Sequence, residues 1–430
     1  MRPETPKKLR AFARKLGPCA DRVRSGARAF GTRCRSLLPL AKKLRDRGYQ
    51  RLAGPTGWLK RQGALRLGLA GAAVLLVLVI AFAAAYARTI GLYYRAATAS
   101  AARVPLESEV RRAAREKAKQ LAAALDRRLD KRARFARDVS ISASVLVALE
   151  ESDAGYARRI DAKLIERYFR ALAGPECACW RALPDGRYPN HVGITSWVLR
   201  AMAGYGIPAQ IGELRFLLST QTRAGAWPLF AGAKEERFAS SYATAVAILA
   251  LHEQAALHAN SKLKGQLAAA VERGAEWLKK HAVRGGARWA DYPSWPKRGN
   301  ESLGVSGFVL VALHRVGAAG LEGLDRDWMR QLPADAPAAT DSDAPAKTVL
   351  VGKRSYPDRT RYFRLPWSVL ATAAAYPNAS LSGKAGAIEW LERALAPGAS
   401  IHAQTGRGRN VAVAAEALLA LSGAAGAANE

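Results

Sequence analysis

Tyr188, Asn190 and His191 stand within four residues of one another, and Arg187 directly precedes them. A hydroxyl, an amide, an imidazole and a guanidinium are the groups a polysaccharide lyase needs. The cation or amide neutralises a uronate carboxylate, and the imidazole or phenol takes the neighbouring proton. Asn190 equally suits a helix cap. Glycoside hydrolysis calls instead for two carboxylates roughly 5–10 Å apart. Asp185, Asp291, Glu301 and Asp358 are the acids that fall in the long loops of this chain. His191, Tyr188, Asn190, Asp185, Asp291 and Glu301 are therefore the catalytic candidates, and whether the chain is an enzyme at all is left open.

The same loops carry flat rings and cations. The expected ligand-binding set is Arg187, Trp180, Trp227, Arg237, Trp289, Trp295, Arg361 and Arg364. Lys353, Arg354 and Arg359 add to the positive charge, and Tyr292, Tyr356, Tyr362 and Trp367 to the aromatic surface. Aromatic faces beside cations suit a sugar chain bearing acidic groups, or a phosphate headgroup. Metal chemistry finds little support. Cys177, Cys179 and His191 offer three ligand types, but the four-ligand spacing of a zinc site is missing. Cys177 and Cys179 are too close for an easy bridge to each other and read as packing or a local redox pair. No metal and no cofactor is expected.

Six copies of a helical phrase position these loops. They are Val145–Leu149, Val198–Met202, Ala247–Leu251, Val309–Leu313, Val369–Ala373 and Ala417–Leu421. A repeat of that length is a helix pair plus a loop. More charged helices are expected between them, near 156–172, 208–221, 264–281, 322–331 and 383–396. A further charged helix lies within 104–138, where Val110, Ala114, Ala118, Leu121 and Leu125 recur at helical spacing. It is a stalk or the first outer helix. The long connections run from outer helix to inner helix, so they gather on the rim where the inner helices begin. Leu332 to Thr348, rich in Ala, Pro and Asp, reads as a flexible excursion. The expected fold is all-α, an (α/α)6 toroid over 139–425.

The stretch Phe216 to Trp227, FLLSTQTRAGAW, resembles the Gln-Trp repeat of terpene cyclases and prenyltransferases. Thr195–Leu199 and Thr244-x-Val246 are similar to that family's inner-helix openings. Trp277–His281 with Gly285–Trp289 is a degraded copy, with His in place of Gln. The resemblance implies the toroid over roughly 140–425. It also implies an acidic Asp-x-Asp-Asp cluster that this chain lacks, Asp325-Arg326-Asp327 and Asp341-Ser342-Asp343 being the nearest strings. The zinc ligands of protein prenyltransferases are likewise missing from their pattern.

The chain has a net charge of +32. Residues 1–66 hold nineteen Lys/Arg against three Asp/Glu. Leu67 to Ala87 is an uncharged apolar run, which at about 1.5 Å per residue spans roughly the 30 Å of a bilayer core. The expected order is a basic cytoplasmic tail (1–66), a transmembrane helix (67–87), a charged helix (88–138) and the toroid (139–425). The greater positive charge ahead of the span places the N-terminus inside and the toroid outside the cytoplasm. A tail of Lys and Arg among Leu, Phe and Ala suits anionic lipid, at about 1 kcal/mol per charge. A protein partner in a membrane complex is the alternative, and nucleic acid has no motif behind it. The leading expectation is recognition of an anionic cell-envelope ligand, glycan or lipid-linked. A toroidal enzyme on a polysaccharide or an isoprenoid is the second, and a purely structural partner the third.

Overall fold

The computed structural model describes residues 106–128, 138–152, 160–174, 178–181, 188–233, 235–283, 286–294, 301–332, 335–343, 347–358, 360–402 and 411–424. All lie in the compact unit Thr98–Glu430. The basic tail and the 67–87 segment fall outside the described residues, as do Asp185, Arg187 and Trp295. No described helix is long and apolar enough to cross a membrane.

The described residues form twelve α-helices in two alternating kinds. The even-numbered ones are α2 (Val139–Ser152), α4 (Val192–Gly204), α6 (Ser241–Leu257), α8 (Leu303–Arg315), α10 (Arg364–Ala375) and α12 (Val411–Ala424). Each contains one of the six phrases and is buried nearly all round, as a helix apolar on every face must be. The odd-numbered ones are α1 (Ser108–Arg128), α3 (Ala162–Leu172), α5 (Ile211–Thr220), α7 (Ser261–Lys280), α9 (Glu322–Gln331) and α11 (Leu381–Leu395). These bury a single stripe. In α7 it is Leu267, Ala270, Val271, Gly274, Ala275, Trp277 and Leu278.

The even helices contact one another in cyclic order. α2 packs on α4, α4 on α6, α6 on α8, α8 on α10, α10 on α12, and α12 returns to α2. The odd helices lie against them, α7 on α6, α3 and α5 on α4, α9 and α11 on α10. The Val110–Leu125 stripe of α1 is buried against α12 and α2.

One device recurs at three of the joins. Trp180, Trp227 and Trp289 are fully buried. Their indole Nε1–H groups donate to the last carbonyls of the preceding odd helix: Phe169 O at 2.8 Å, Leu217 O at 2.7 Å and Leu278 O at 2.8 Å. Their backbone N–H groups donate to hydroxyls one turn inside the next even helix: Thr195 at 3.1 Å, Thr244 at 2.9 Å and Ser306 at 2.8 Å. Thr244 and Ser306 in turn donate to the carbonyls of Ser240 and Ser302, the residues that cap those helices. Burying each indole contributes roughly 4–6 kcal/mol of hydrophobic free energy. The loop between the two helices starts and ends as a short antiparallel pair. Examples are Arg181 with Asn190, β1 (Trp227–Pro228) with β2 (Ala239–Ser240), and Ala290 with Glu301.

The loop from α9 to α10 departs from the sequence expectation. It holds β3 (Ser342–Asp343), paired with β6 (Tyr362–Phe363), and a hairpin of β4 (Lys347–Val351) with β5 (Arg354–Asp358). Val349 and Val351 supply β-branched side chains. Gly352 at φ +63° makes the two-residue turn that such hairpins favour. The stretch expected as a flexible excursion thus contains β3 and the start of β4.

At the far end of the even helices their charged last turns meet. Arg200 of α4 donates to Glu253 of α6 at 3.0 Å and to Glu151 of α2 at 3.0 Å. Arg315 of α8 donates to both oxygens of Glu151 at 2.5 Å. Helices α2 and α8 are not neighbours in the cycle, so this pair bridges its interior. Burial alone would raise the Glu151 carboxyl, but Arg315 and Arg200 outweigh it and hold Glu151 below its usual value. Glu150 has no such donor among the described residues, and burial plus the charges of Glu151 and Glu253 push it up to about 7.

Gly225 tests the tether. It sits at φ +100°, and an added Cβ would come within 2.5 Å of the Arg273 carbonyl. Gly225→Ala combines left-handed strain with a backbone clash and should cost about 3 kcal/mol. Gly206, at φ +71° with open space around it, is the control. Gly206→Ala should cost only about 1 kcal/mol. Chemical denaturation of the two variants checks the difference.

Candidate functional site: an acidic, aromatic cluster where the inner helices begin

One polar cluster fastens the start of α6 to the loops that lead into α8 and α10. Ser240 caps α6 and donates its hydroxyl to Asp291 Oδ1 at 2.6 Å. Tyr242 N–H reaches the same oxygen at 3.3 Å, and Ser241 N–H donates to the Asp291 carbonyl at 2.6 Å. Tyr362, from β6, donates its hydroxyl to Asp291 Oδ2 at 2.5 Å. Next in sequence, Tyr292 donates to Asp358 Oδ2 at 2.9 Å, and Thr360 N–H donates to Asp358 Oδ1 at 2.8 Å. Both acids are almost fully buried. Asp291 comes from the loop before α8 and Asp358 from the loop before α10, so three successive loops interlock here.

Burial, and then the like charge of Asp291, raise the Asp358 carboxyl to about 6, against the downward pull of Thr360 N–H and the Tyr292 hydroxyl. Tyr292 and Tyr362 are pushed well above the usual phenol value, by burial first and then by the two acids. A carboxyl that keeps its proton close to neutrality beside a second acid is the arrangement from which acid–base chemistry is built. It also fastens loops.

Behind this cluster lies an aromatic group. Tyr242 meets Tyr362 at 5.0 Å and Phe308 at 5.3 Å between ring centres. Phe308 meets Trp367 at 4.5 Å and stacks on Trp197 at 6.0 Å. Trp197 Nε1–H donates to the Tyr242 hydroxyl at 2.6 Å. Trp197 belongs to α4 and Phe308 to α8, which are not neighbours in the cycle, so these rings fill part of its interior.

The expected residues divide between these walls and the rim. Asp291 enters the cluster. His191 caps α4, its Nδ1 accepting Ile194 N–H at 3.2 Å, and burial lowers its pKa to about 3. Its lone pair is thus engaged with the helix and is not offered to a substrate. Asn190 accepts from Arg181 Nε at 2.8 Å and does not cap the helix. Glu301 lies in a β-bridge, with Arg288 at 4.0 Å. Trp180, Trp227 and Trp289 present no face to solvent. Arg237 pairs with Glu235 at 2.7 Å and lies over Phe238. Arg364 donates twice to Asp343 Oδ1, at 2.8 and 2.6 Å, while Arg361 is exposed. Tyr188 packs on Tyr356 of the hairpin, ring centres 5.9 Å apart. Cys179 is disulfide-bonded. Among the described residues no group of three His, Cys, Asp or Glu is placed to hold a metal ion.

Sequence reasoning passed over Trp197, Phe308 and Glu416. Glu416 is the sole charged residue of α12, in the run VAVAAEALLALSGA. A lone acid in a buried apolar helix was the available signal.

The Asp358 shift sets a pH dependence. Its folded pKa of about 6 lies above the ordinary aspartate value of 3.8. The stability it contributes is full below the unfolded value and is lost as pH rises through about 6. The loss amounts to roughly 3 kcal/mol. Asp358→Asn should flatten the stability profile between pH 4 and pH 7 and raise stability at pH 8. Urea denaturation across that range measures both.

No protein-family model matches the chain, and no curated protein does either.

Proposed function

We propose that the cyclic order of the even helices is the inner wall of an (α/α)6 toroid, anchored by the 67–87 segment outside the cytoplasm. In this proposal the 1–66 tail lies on anionic lipid. The loop rim recognises an anionic glycan or lipid-linked ligand of the cell envelope, within a membrane complex. The observation that carries the proposal is the joining of Tyr188 and Tyr356. These half-buried rings come from two distant loops and lie against Phe230, 6.0 Å from Tyr356. Lys353 and Arg354 are exposed on the same hairpin, and Arg361 is exposed just beyond it. Rings that offer a flat face, beside cations without a charged partner among the described residues, suit an acidic sugar or a phosphate headgroup.

The binding test compares polygalacturonate with neutral dextran, and vesicles with and without a polyprenyl phosphate. Retention on either anionic probe, falling as salt rises, is the expected result. At about 1 kcal/mol per surface charge, Lys353→Ala with Arg354→Ala should weaken retention at least tenfold. Tyr356→Ala should weaken it comparably. Equal retention of dextran, or full retention by the double variant, would overturn the proposal.

One observation favours a second reading, the toroidal enzyme. Asp358 holds a proton close to neutrality, Asp291 lies beside it, and Asp358 could then act as the acid of a hydrolase pair. Cleavage of an acidic glycan that is lost in Asp358→Asn, with rim binding intact, would establish it.

A further inference from the structure

The β4–β5 hairpin is rooted firmly and rests lightly. Its root is the end where Lys347 pairs with Asp358. Asp358 is held there by the Tyr292 hydroxyl and by Thr360 N–H. Beside the root, β3 pairs with β6, and Arg364 donates twice to Asp343 of β3. Beyond the root the hairpin meets distant loops. Tyr356 packs on Tyr188, in the loop before α4, and on Phe230, in the loop before α6. Val351, next to the turn, stands over Gly232, its Cγ1 3.2 Å from where a β-carbon would lie. In the cyclic order α10 and α4 are three places apart, which is opposite in a cycle of six. The hairpin therefore reaches across the end of the cycle where the even helices begin.

Apolar contact holds it there. Among the described residues, no hydrogen bond or ion pair joins Thr348–Tyr356 to the loops beneath. The two strands pair only with each other. A lone two-stranded hairpin is marginal in water unless one face is packed. Val349 and Tyr356, paired across the strands, make the packed face. Thr348, Leu350, Ser355 and Pro357 make the other, and all four are exposed. An element with a fixed root, few apolar contacts beyond it and one side in solvent belongs to the part of a fold that opens most readily.

We propose that the β4–β5 hairpin is a lid over the rim, hinged at its Asp358 root and latched by Tyr356 on Tyr188 and Phe230. Phe230 is 2% exposed beneath it and meets His191 edge-on at 4.9 Å. Lifting the lid uncovers Tyr188 and Phe230, with the imidazole behind them. The turn and the start of β5 carry Lys353 and Arg354, both exposed. Closing lowers these two cations onto whatever lies on the rings. A lid of this kind admits a ligand and then screens it from water. That the ligand is an anion rests on the rim recognition already proposed; the motion of the lid does not.

Hydroxyl-radical footprinting of the full chain in detergent tests the motion. Phe230 and Phe169 have the same side-chain chemistry and are both buried, Phe169 within α3. Opening of the lid should oxidise Phe230 at least tenfold faster than Phe169. Photo-oxidation that couples the Tyr188 and Tyr356 rings into a dityrosine locks the lid shut. The locked chain should oxidise Phe230 no faster than Phe169. It should also take up polygalacturonate at least tenfold more slowly than the unlocked chain. Tyr188→Phe cannot form the bond, so the same illumination should leave its Phe230 rate unchanged. Equal rates for Phe230 and Phe169 in the unlocked chain, no dityrosine between Tyr188 and Tyr356, or fast oxidation of Phe230 in the locked chain would overturn the proposal. An unlocked chain that ignores polygalacturonate while Phe230 responds to the lock would sink the rim reading and leave the lid standing.

Discussion

A tryptophan with two N–H groups, each given to a different helix, is the contact on which the order of this chain depends. An odd helix ends with unpaired carbonyls, and an even helix begins with a hydroxyl already bound to its own capping residue. The indole closes the first and the peptide N–H closes onto the second. The backbone leaving the tryptophan is thereby directed into a short antiparallel pair, and the loop is pinned at both ends whatever its length or sequence between. Loop composition is free to vary while the helices stay in place. The join from α9 to α10 differs: Trp328 lies within α9 and donates to Thr372 of α10 at 3.1 Å. The longest loop, with its hairpin, follows this altered join.

Fixed loop roots explain the acidic cluster. Asp291 is two residues beyond a tethering tryptophan, and Ser240 caps the preceding even helix, so the tether brings them together. Tyr362 then arrives on the strand that leads into α10. Burying two acids this close is unfavourable, and five hydroxyl or N–H donors from Ser240, Tyr242, Tyr362, Tyr292 and Thr360 offset it. Burial and the neighbouring Asp291 still leave the Asp358 carboxyl raised to about 6.

Much of the scaffold was legible because its signals are local. The six phrases are apolar on nearly every face, which marks a buried helix. The FLLSTQTRAGAW run placed Gln221, Gly225 and Trp227 correctly as a helix-to-loop tie. Gln221 Nε2–H donates to the Gly225 carbonyl and to Ala270 of α7, both at 2.9 Å. In the degraded copy His281 turns back to the Trp277 carbonyl at 2.8 Å. The site was less legible because its partners are distant in sequence. Asp291 and Tyr362 are separated by 71 residues, and nothing in either neighbourhood marks the other. His191 looked catalytic because an imidazole caps a helix less often than a hydroxyl does, although its chemistry there is the same acceptance of an N–H. The buried tryptophans looked like binding surface because residue type does not reveal which side of a loop faces inward.

The bridge between Arg315 and Glu151 joins residues 164 apart and links α8 to α2 across the interior. An array of helix pairs that ends freely can fold from any point and spread by nearest-neighbour contacts. This chain cannot finish that way. Glu151 is made early in synthesis, and its carboxylate waits for a guanidinium that emerges more than a hundred and sixty residues later. The return of α12 to α2 needs the C-terminal helix as well. Contacts of such sequence separation slow folding and make the final step all-or-none. The closed cycle thus carries a kinetic signature that an open stack of the same helix pairs would lack.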